Sequence, residues 1–117
     1  VLSLHVPSTD ATHHWLDPNR HPQLQHDAIV VNTARGPNVD QAALIDALTT
    51  RQIFAAGLDF NESEPEIPSA LRSLHNAVLL PHLGSATIRA RAGMARLSSS
   101  GVAAVLKGER PENLVVG

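Results

Sequence analysis

Three polar side chains, Arg35, Glu64 and His82, follow the ends of apolar segments in this sequence, and a fourth, Asp59, lies near the end of one. An arginine side chain can clamp a carboxylate through two charge-assisted hydrogen bonds. A histidine can give or take a proton near neutral pH, and a neighbouring carboxylate favours its protonated form. These residue types suit chemistry on a small carboxylate that carries an adjacent carbonyl. Because no side chain supplies a hydride, a reduction there requires a cofactor.

Each of these residues also has a purely structural interpretation. Arg35 suits a solvated loop equally well, and Glu64 suits an exposed loop acid. Asp59 lies within an apolar run, so it needs a hydrogen-bond partner, and a backbone group or a helix N-terminus would serve. His82 could be a packed histidine at the end of a strand. The argument for function is convergence, because ligands of parallel sheets bind outside the carboxyl ends of the strands.

Four short apolar segments predict strands that are buried on both faces, as in a parallel sheet. They are residues Val1–Val6, Ala28–Ala34, Ile53–Phe60 and Ala77–Pro81. Helical patterns alternate with them, which predicts an α/β fold: a doubly wound parallel sheet of about four strands with flanking helices and right-handed crossovers.

The helix predictions rest on apolar spacing and on end signals. Residues 40–51 should form a helix with Asp40 as its N-cap, and residues 69–74 a short one. Pro22 limits a helix within residues 18–27 to a short turn. The longest helix is predicted over residues 85–107, and its expected inner face consists of Ile88, Ala92, Ala95, Val102 and Leu106.

Composition excludes several classes of protein. With 117 residues, 43% of them apolar and 17% charged, the chain suits one small globular domain. A net charge of -2 predicts no nucleic-acid partner, and no apolar run approaches the roughly 20 residues of a membrane span. The chain has no cysteine, which fits a reducing compartment, and we expect a cytoplasmic protein. The remaining histidines lack ligand spacing, so we expect no metal.

Three segments in order, VVNTARGPNVDQAALIDAL, AAGLDFNESEP and VLLPHLGSAT, resemble the D-isomer-specific 2-hydroxyacid dehydrogenases. The likeness is greatest to the glyoxylate/hydroxypyruvate reductases and extends over nearly the whole chain. It implies the C-terminal half of a Rossmann-like NAD(P)-binding domain, with NAD or NADP as cofactor and a small 2-keto or 2-hydroxy acid as substrate. It also implies a homodimer, whose interface candidates are residues 39–48 and the arm after Asp59.

The resemblance assigns roles to individual residues. Arg35 would bind the substrate carboxylate and keto oxygen, His82 would be the acid/base, and Glu64 would pair with it. Asp59 would hold the nicotinamide carboxamide. The residues implied to contact the cofactor are Val6, Pro7, Thr12, Thr33, Ala34, Arg35, Asp59, His82 and Gly84.

The sequence also departs from the family pattern. Phe60 and Asn61 replace the usual Val-Phe after the aspartate, and Asp27 stands where a glycine is usual. The loop after the first strand reads VPSTDATHHW, which is less apolar than usual. These differences put in doubt only the details of cofactor fit.

The family's phosphate-binding glycine fingerprint, G-x-G-x-x-G, does not occur in this sequence. The sequence opens within a predicted strand, so we expect residues 1–117 to be a partial NAD(P)-binding domain that is inactive in isolation. The segment from about 101 to 117 would then return toward a substrate domain. The alternatives are a non-catalytic, corepressor-like dinucleotide-binding relative or an inactive truncated remnant.

Overall fold

The computed structural model describes residues 1–115 and contains a four-stranded parallel sheet. The strands are β1 (Leu2–Leu4), β2 (Ile29–Asn32), β3 (Ala55–Leu58) and β4 (Ala77–Leu79), in the spatial order β1-β2-β3-β4. Val30 pairs with Leu2 on one side and with Ala56 on the other. The predicted α/β fold and its four strands are confirmed. Each strand is shorter than its apolar run, because the last residues of each run turn into the loops at the carboxyl edge.

Helix α1 (Gln41–Thr49) supplies much of the core beside the sheet. The Asp40 carboxylate accepts a hydrogen bond of 2.9 Å from the Ala43 amide, which confirms the predicted N-cap. Three side chains of α1 join one hydrophobic cluster with residues of the strands. Burying a leucine in such a cluster stabilises the fold by roughly 1.5–3 kcal/mol. The buried hydrophobic residues are Leu4, Leu16, Val30, Ala34, Val39, Leu44, Ala47, Leu48, Ile53, Ala56, Leu58, Phe60 and Leu71.

The two short helices predicted from the sequence are also present. Residues 18–27 contain a single 3-10 turn, His21–Gln23, because Pro22 permits no longer helix. His21 is buried beneath this turn, and its Nδ1 donates to the Asp17 carbonyl oxygen at 2.9 Å. That burial lowers the pKa of His21, although the Asp17 carbonyl opposes the shift. Helix α2 (Ser69–Arg72) precedes β4 and buries Leu71.

The described chain divides into two compact units, residues 1–82 and residues 83–115. The second unit contains α3 (Ile88–Leu106), which begins at Thr87, whose hydroxyl accepts from the Ala90 amide at 3.1 Å. The predicted inner face of this helix is wrong for this chain, since no α3 residue is buried and Ile88 is 92% exposed. The reason is that the unit consists of α3 and a short following segment, which offer too little apolar surface to cover it.

Residues 116 and 117, which end the segment predicted to return toward a substrate domain, lie outside the described residues. Across residues 1–115, no helix is long and apolar enough to cross a membrane.

Candidate active site

Arg35 leaves the carboxyl end of β2 in a turn that the buried Asn32 side chain holds. The Asn32 amide nitrogen donates to the Arg35 carbonyl oxygen at 2.8 Å, and its amide oxygen accepts from the Ala34 nitrogen at 3.0 Å. The Arg35 guanidinium donates in turn to the Ala34 carbonyl oxygen at 2.7 Å. These bonds fix the backbone at Arg35, while its side chain stays exposed to solvent. A cation that binds a substrate would need both properties.

Gly36 allows the loop after β3 to lie directly on this turn. A Cβ atom at Gly36 would lie 2.1 Å from the Asn61 carbonyl oxygen and 2.6 Å from the Glu62 nitrogen, both of them backbone atoms. Glycine is needed here for close approach of two backbones rather than for an unusual dihedral angle. This approach brings residues 60–64 beside Arg35.

Glu64 and His82 form a pair at the same edge of the sheet. Glu64 Oε2 lies 3.5 Å from His82 Nδ1, with the side chains 38% and 48% exposed. This distance exceeds that of a usual hydrogen bond, about 2.7–3.2 Å, and such contacts often shorten when substrate binds. The other carboxylate oxygen of Glu64 accepts from the Asn61 amide at 2.9 Å, which orients the carboxylate.

His82 follows β4 in a left-handed backbone conformation, with φ of 57°. Residues other than glycine rarely adopt this conformation, and it occurs preferentially at functional sites. The His82 amide donates to the Asp59 carbonyl oxygen at 3.1 Å, which ties the ends of β3 and β4 together. The strained position thus holds the imidazole at the carboxyl edge.

The Phe60 ring contacts both the arginine and the histidine. Its centroid is 4.0 Å from that of His82, with an interplanar angle of 64°, and the Arg35 guanidinium carbon lies 4.9 Å from the same centroid. Arg35, Glu64 and His82 are therefore brought together within one unit of the structure, as their order along the strands predicted.

A cleft of about 630 Å³ opens beside Arg35 at the carboxyl ends of β1 and β2. Five of the residues predicted to contact a cofactor line it, together with His5 and Ser8. These five are Val6, Pro7, Thr33, Ala34 and Arg35.

The other predicted cofactor residues lie elsewhere. Thr12 does not line the cleft; its hydroxyl donates to the Pro7 carbonyl oxygen at 2.5 Å and so supports the loop that does. Asp59 is buried at the end of β3, where its amide donates to the Asn32 carbonyl oxygen at 3.0 Å. Gly84 belongs to the second unit, and its contact with a cofactor stays a prediction.

A second polar cluster surrounds His14, which sequence reasoning treated as a structural or surface residue. His14 Nε2 lies 2.5 Å from Glu62 Oε1, and Nδ1 lies 3.7 Å from Asp40 Oδ2. Glu62 Oε2 also accepts from the Gln41 amide at 3.1 Å. No sequence signal could have found this contact, because His14 and Glu62 are 48 positions apart.

This His14 cluster is also where a metal ion could be held. His13, His14 and Glu62 present ligand atoms within 4.8 Å of one another. The hydrogen bonds of Glu62 to His14 and to Gln41 already account for both carboxylate oxygens. The geometry therefore suits a network that joins three loops, and the sequence-based expectation of no metal stays a prediction.

Comparison with known proteins bears on the identity of this site. Residues 1–84 match the family described as "D-isomer specific 2-hydroxyacid dehydrogenase, NAD binding domain". The chain belongs to this family. The resemblance inferred from the three motifs is thereby confirmed, and so is the assignment to an NAD-binding domain. In this 2-hydroxyacid dehydrogenase domain, Arg35, Asp59, Glu64 and His82 all fall within the matched residues.

Individual relatives point to the reductase branch. The chain is 47% identical over 114 residues to a glyoxylate reductase of Thermococcus litoralis, covering 97% of this chain and 34% of the relative. It is 44% identical over 115 residues to glyoxylate/hydroxypyruvate reductase B of Enterobacter agglomerans, covering 97% of this chain and 36% of the relative. The chain thus spans about a third of the length of the curated relatives it matches.

A solved structure agrees with this comparison. It is an NADPH-dependent glyoxylate/hydroxypyruvate reductase of Sinorhizobium meliloti in complex with NADP and malonate, 38% identical with a TM-score of 0.85. The match covers 88% of this chain and 32% of that structure. Relatives of this dehydrogenase domain therefore share both its sequence and its fold.

Proposed function

We propose that this chain forms part of an NAD(P)-dependent reductase that converts a small 2-keto acid, such as glyoxylate or hydroxypyruvate, into the 2-hydroxy acid. The observation that carries the proposal is the grouping of Arg35 with the Glu64–His82 pair around one aromatic ring. The cleft bordered by Arg35 lies at the same sheet edge. A carboxylate clamp, a proton donor and a cofactor cleft are the parts this reaction needs.

In this proposal, Arg35 binds the substrate. Its planar fork pairs with the carboxylate through two hydrogen bonds, and the keto oxygen of a 2-keto acid is close enough to receive a third contact. The hydrogen bond from the guanidinium to the Ala34 carbonyl oxygen reduces the number of orientations open to this long side chain. Ordering Arg35 before substrate arrives lowers the entropy cost of binding.

His82 supplies the proton in the direction of reduction. It gives the proton to the carbonyl oxygen as negative charge develops there, and in the reverse direction it takes the proton from the alcohol. The Glu64 carboxylate, 3.5 Å from Nδ1, orients the imidazole ring and favours the tautomer that leaves Nε2 for the substrate. The bond from the Asn61 amide keeps the Glu64 carboxylate in place.

The cleft would hold the adenosine and ribose parts of a dinucleotide. Val6 and Pro7 would give it apolar walls, and Thr33 and Ala34 line it beside Arg35. Asp59 would accept a hydrogen bond from the carboxamide of the nicotinamide. When bound, the cofactor, NAD or NADP, supplies the hydride, since no side chain can.

The test uses the complete protein and follows oxidation of NADH and of NADPH with glyoxylate and with hydroxypyruvate. We expect the His82→Ala change to lower kcat about 10²- to 10⁴-fold, the usual contribution of an acid/base group. Arg35→Ala should raise KM for the keto acid and lower kcat as well. His75→Ala is the matched control, because His75 precedes β4 and so lies at the opposite edge of the sheet. An active His82→Ala variant would exclude the role of His82 as acid/base.

We further propose the domain arrangement and assembly that the family resemblance implies. Residues 1–117 would be part of the NAD(P)-binding domain, and the segment from about residue 101 would return toward a substrate domain. The complete protein would be a cytoplasmic homodimer. Light scattering of the complete protein tests the dimer, and purification of residues 1–117 alone should give a protein without turnover.

A further inference from the structure

One side chain, Phe60, contacts both of the ionisable groups that the proposed reaction needs. The centroid of its ring lies 4.0 Å from the centroid of the His82 ring and 4.9 Å from the guanidinium carbon of Arg35. Phe60 is only 7% exposed, so solvent does not separate it from its neighbours. It also stands where the resembling family usually has valine, whose side chain has no aromatic face.

The backbone on either side of this ring is held firmly. The Asp59 amide donates to the Asn32 carbonyl oxygen at 3.0 Å, and the Asp59 carbonyl accepts from the His82 amide at 3.1 Å. On the other side, the Asn61 carbonyl oxygen lies so close to Gly36 that a methyl group at Gly36 would have no space. The ring therefore has a fixed place at the carboxyl edge of the sheet, in contact with both Arg35 and His82.

An aromatic ring in this place affects the two groups in different ways. Its π face attracts the Arg35 cation, which fixes the plane of the guanidinium fork. Its contact with the His82 ring, at a centroid distance of 4.0 Å, limits the positions that the imidazole can take. A 2-keto acid presents a carboxylate and a carbonyl on adjacent carbons. The reaction consequently requires a guanidinium group and a proton donor that lie at one fixed distance from each other.

We infer that Phe60 is a positioning residue that sets the spacing and orientation of Arg35 relative to His82 for a 2-keto acid. This inference rests on the proposed function. Phe60 does not touch reacting atoms in this scheme; it acts through the two residues that do. Without the ring, only the hydrogen bond to the Ala34 carbonyl oxygen would orient the Arg35 guanidinium, and substrate binding would have to fix the plane of the fork.

The test compares Phe60→Leu with Phe60→Tyr in the complete protein. Leucine keeps apolar bulk but has no π face, whereas tyrosine keeps the face. We expect Phe60→Leu to raise KM for glyoxylate about threefold to tenfold, the loss of one cation–π contact. The dissociation constant of oxamate, an unreactive analogue of the keto acid, should rise equally. KM for the nicotinamide cofactor should stay unchanged in Phe60→Leu. In the Phe60→Tyr variant, KM for glyoxylate should lie within about twofold of that of the original protein.

The matched control is Phe54→Leu, since Phe54 is the chain's other phenylalanine and is 62% exposed before β3. A merely structural role for Phe60 predicts a smaller active fraction, which lowers kcat and leaves both KM and oxamate affinity unchanged. That result overturns the inference, and so does a Phe60→Tyr variant as impaired as Phe60→Leu. A parent protein that reduces neither keto acid overturns the proposed function itself, and this inference with it.

Discussion

Replacing Gly36 by alanine is the sharpest test of how the structure assembles the site. The change adds a single methyl group in the turn that follows Arg35. That methyl group would lie 2.1 Å from the Asn61 carbonyl oxygen, 2.3 Å from the Asn61 carbonyl carbon and 2.6 Å from the Glu62 nitrogen. Because all three are backbone atoms, no side-chain rotation relieves the clash.

The size of the expected loss in stability follows from how far the added methyl group would overlap these backbone atoms. Ordinary contacts of a Cβ atom lie at 3.4 Å or more, so the loop after β3 must move by more than 1 Å. Overpacking of this kind typically costs about 1–3 kcal/mol, and we expect the upper part of that range because the obstacle is backbone. The displaced loop carries Phe60 and Glu64, so the Glu64–His82 distance of 3.5 Å should lengthen as well.

Urea denaturation of the purified chain, followed by circular dichroism, measures the cost. We expect the free energy of unfolding to fall by about 2–3 kcal/mol in Gly36→Ala. Gly57→Ala in β3 is the control, because a Cβ there meets nothing within 4 Å. Its free energy of unfolding should be equal to that of the original chain or higher, since alanine has less backbone entropy to lose.

A Gly36→Ala chain as stable as the original would refute the close approach of the two backbones. It would equally refute the account of how residues 60–64 come to lie beside Arg35. In the complete protein, the same variant should show reduced turnover together with the lost stability. Full activity in a destabilised variant would show that the Glu64 contact tolerates a shift of the loop.

The remaining predictions concern stability and its dependence on pH. Because burial lowers the pKa of His21, the unfolded chain binds a proton more readily than the folded one below pH 6.5. The free energy of unfolding should therefore be fully retained above pH 6.5 and fall below it, by at most about 1.4 kcal/mol per pH unit. In the His21→Gln variant, urea titrations at several pH values should show that the free energy of unfolding depends less steeply on pH. Asp40→Ala should cost about 1 kcal/mol by loss of the α1 cap, against little change for the exposed Asp46→Ala, in thermal melts monitored by circular dichroism. Glu62→Ala should cost about 1–2 kcal/mol in urea titrations, because the Gln41 amide and His14 lose their acceptor.

Local features of this fold could be predicted well from the sequence. The N-cap at Asp40 depends on a hydrogen bond that spans three residues, and the short turn at His21 depends on the adjacent Pro22. The apolar runs located all four strands, but the expected burial on both faces is wrong for the described chain. Buried and half-buried residues alternate along β2 and β3, and Val78 of β4 is 64% exposed. Strand ends then placed Arg35, Asp59 and His82 at one edge, because parallel strands direct all their carboxyl ends the same way.

Contacts between distant segments could not be predicted in this way. Three features each join separate loops: the contacts of the Phe60 ring with Arg35 and His82, the His14–Glu62 pair and the Gly36–Asn61 approach. Their geometry depends on the path of each loop, which no local spacing encodes. The turn at Arg35 was partly indicated by the sequence, because Asn32, whose side chain holds this turn, directly precedes it.

The residues that could carry the chemistry were thus determined by the sequence alone, through their positions at the ends of three of the four apolar segments. Only the tertiary structure decided that Phe60 contacts both Arg35 and His82, and that Glu64 lies 3.5 Å from His82. It also decided that every residue of α3 stays at least partly exposed in the described chain, although the sequence pattern predicted an inner face. The physical reason is the same in each case: a pattern fixes which residues share a face, whereas burial and contact require a second surface that folding must bring to it.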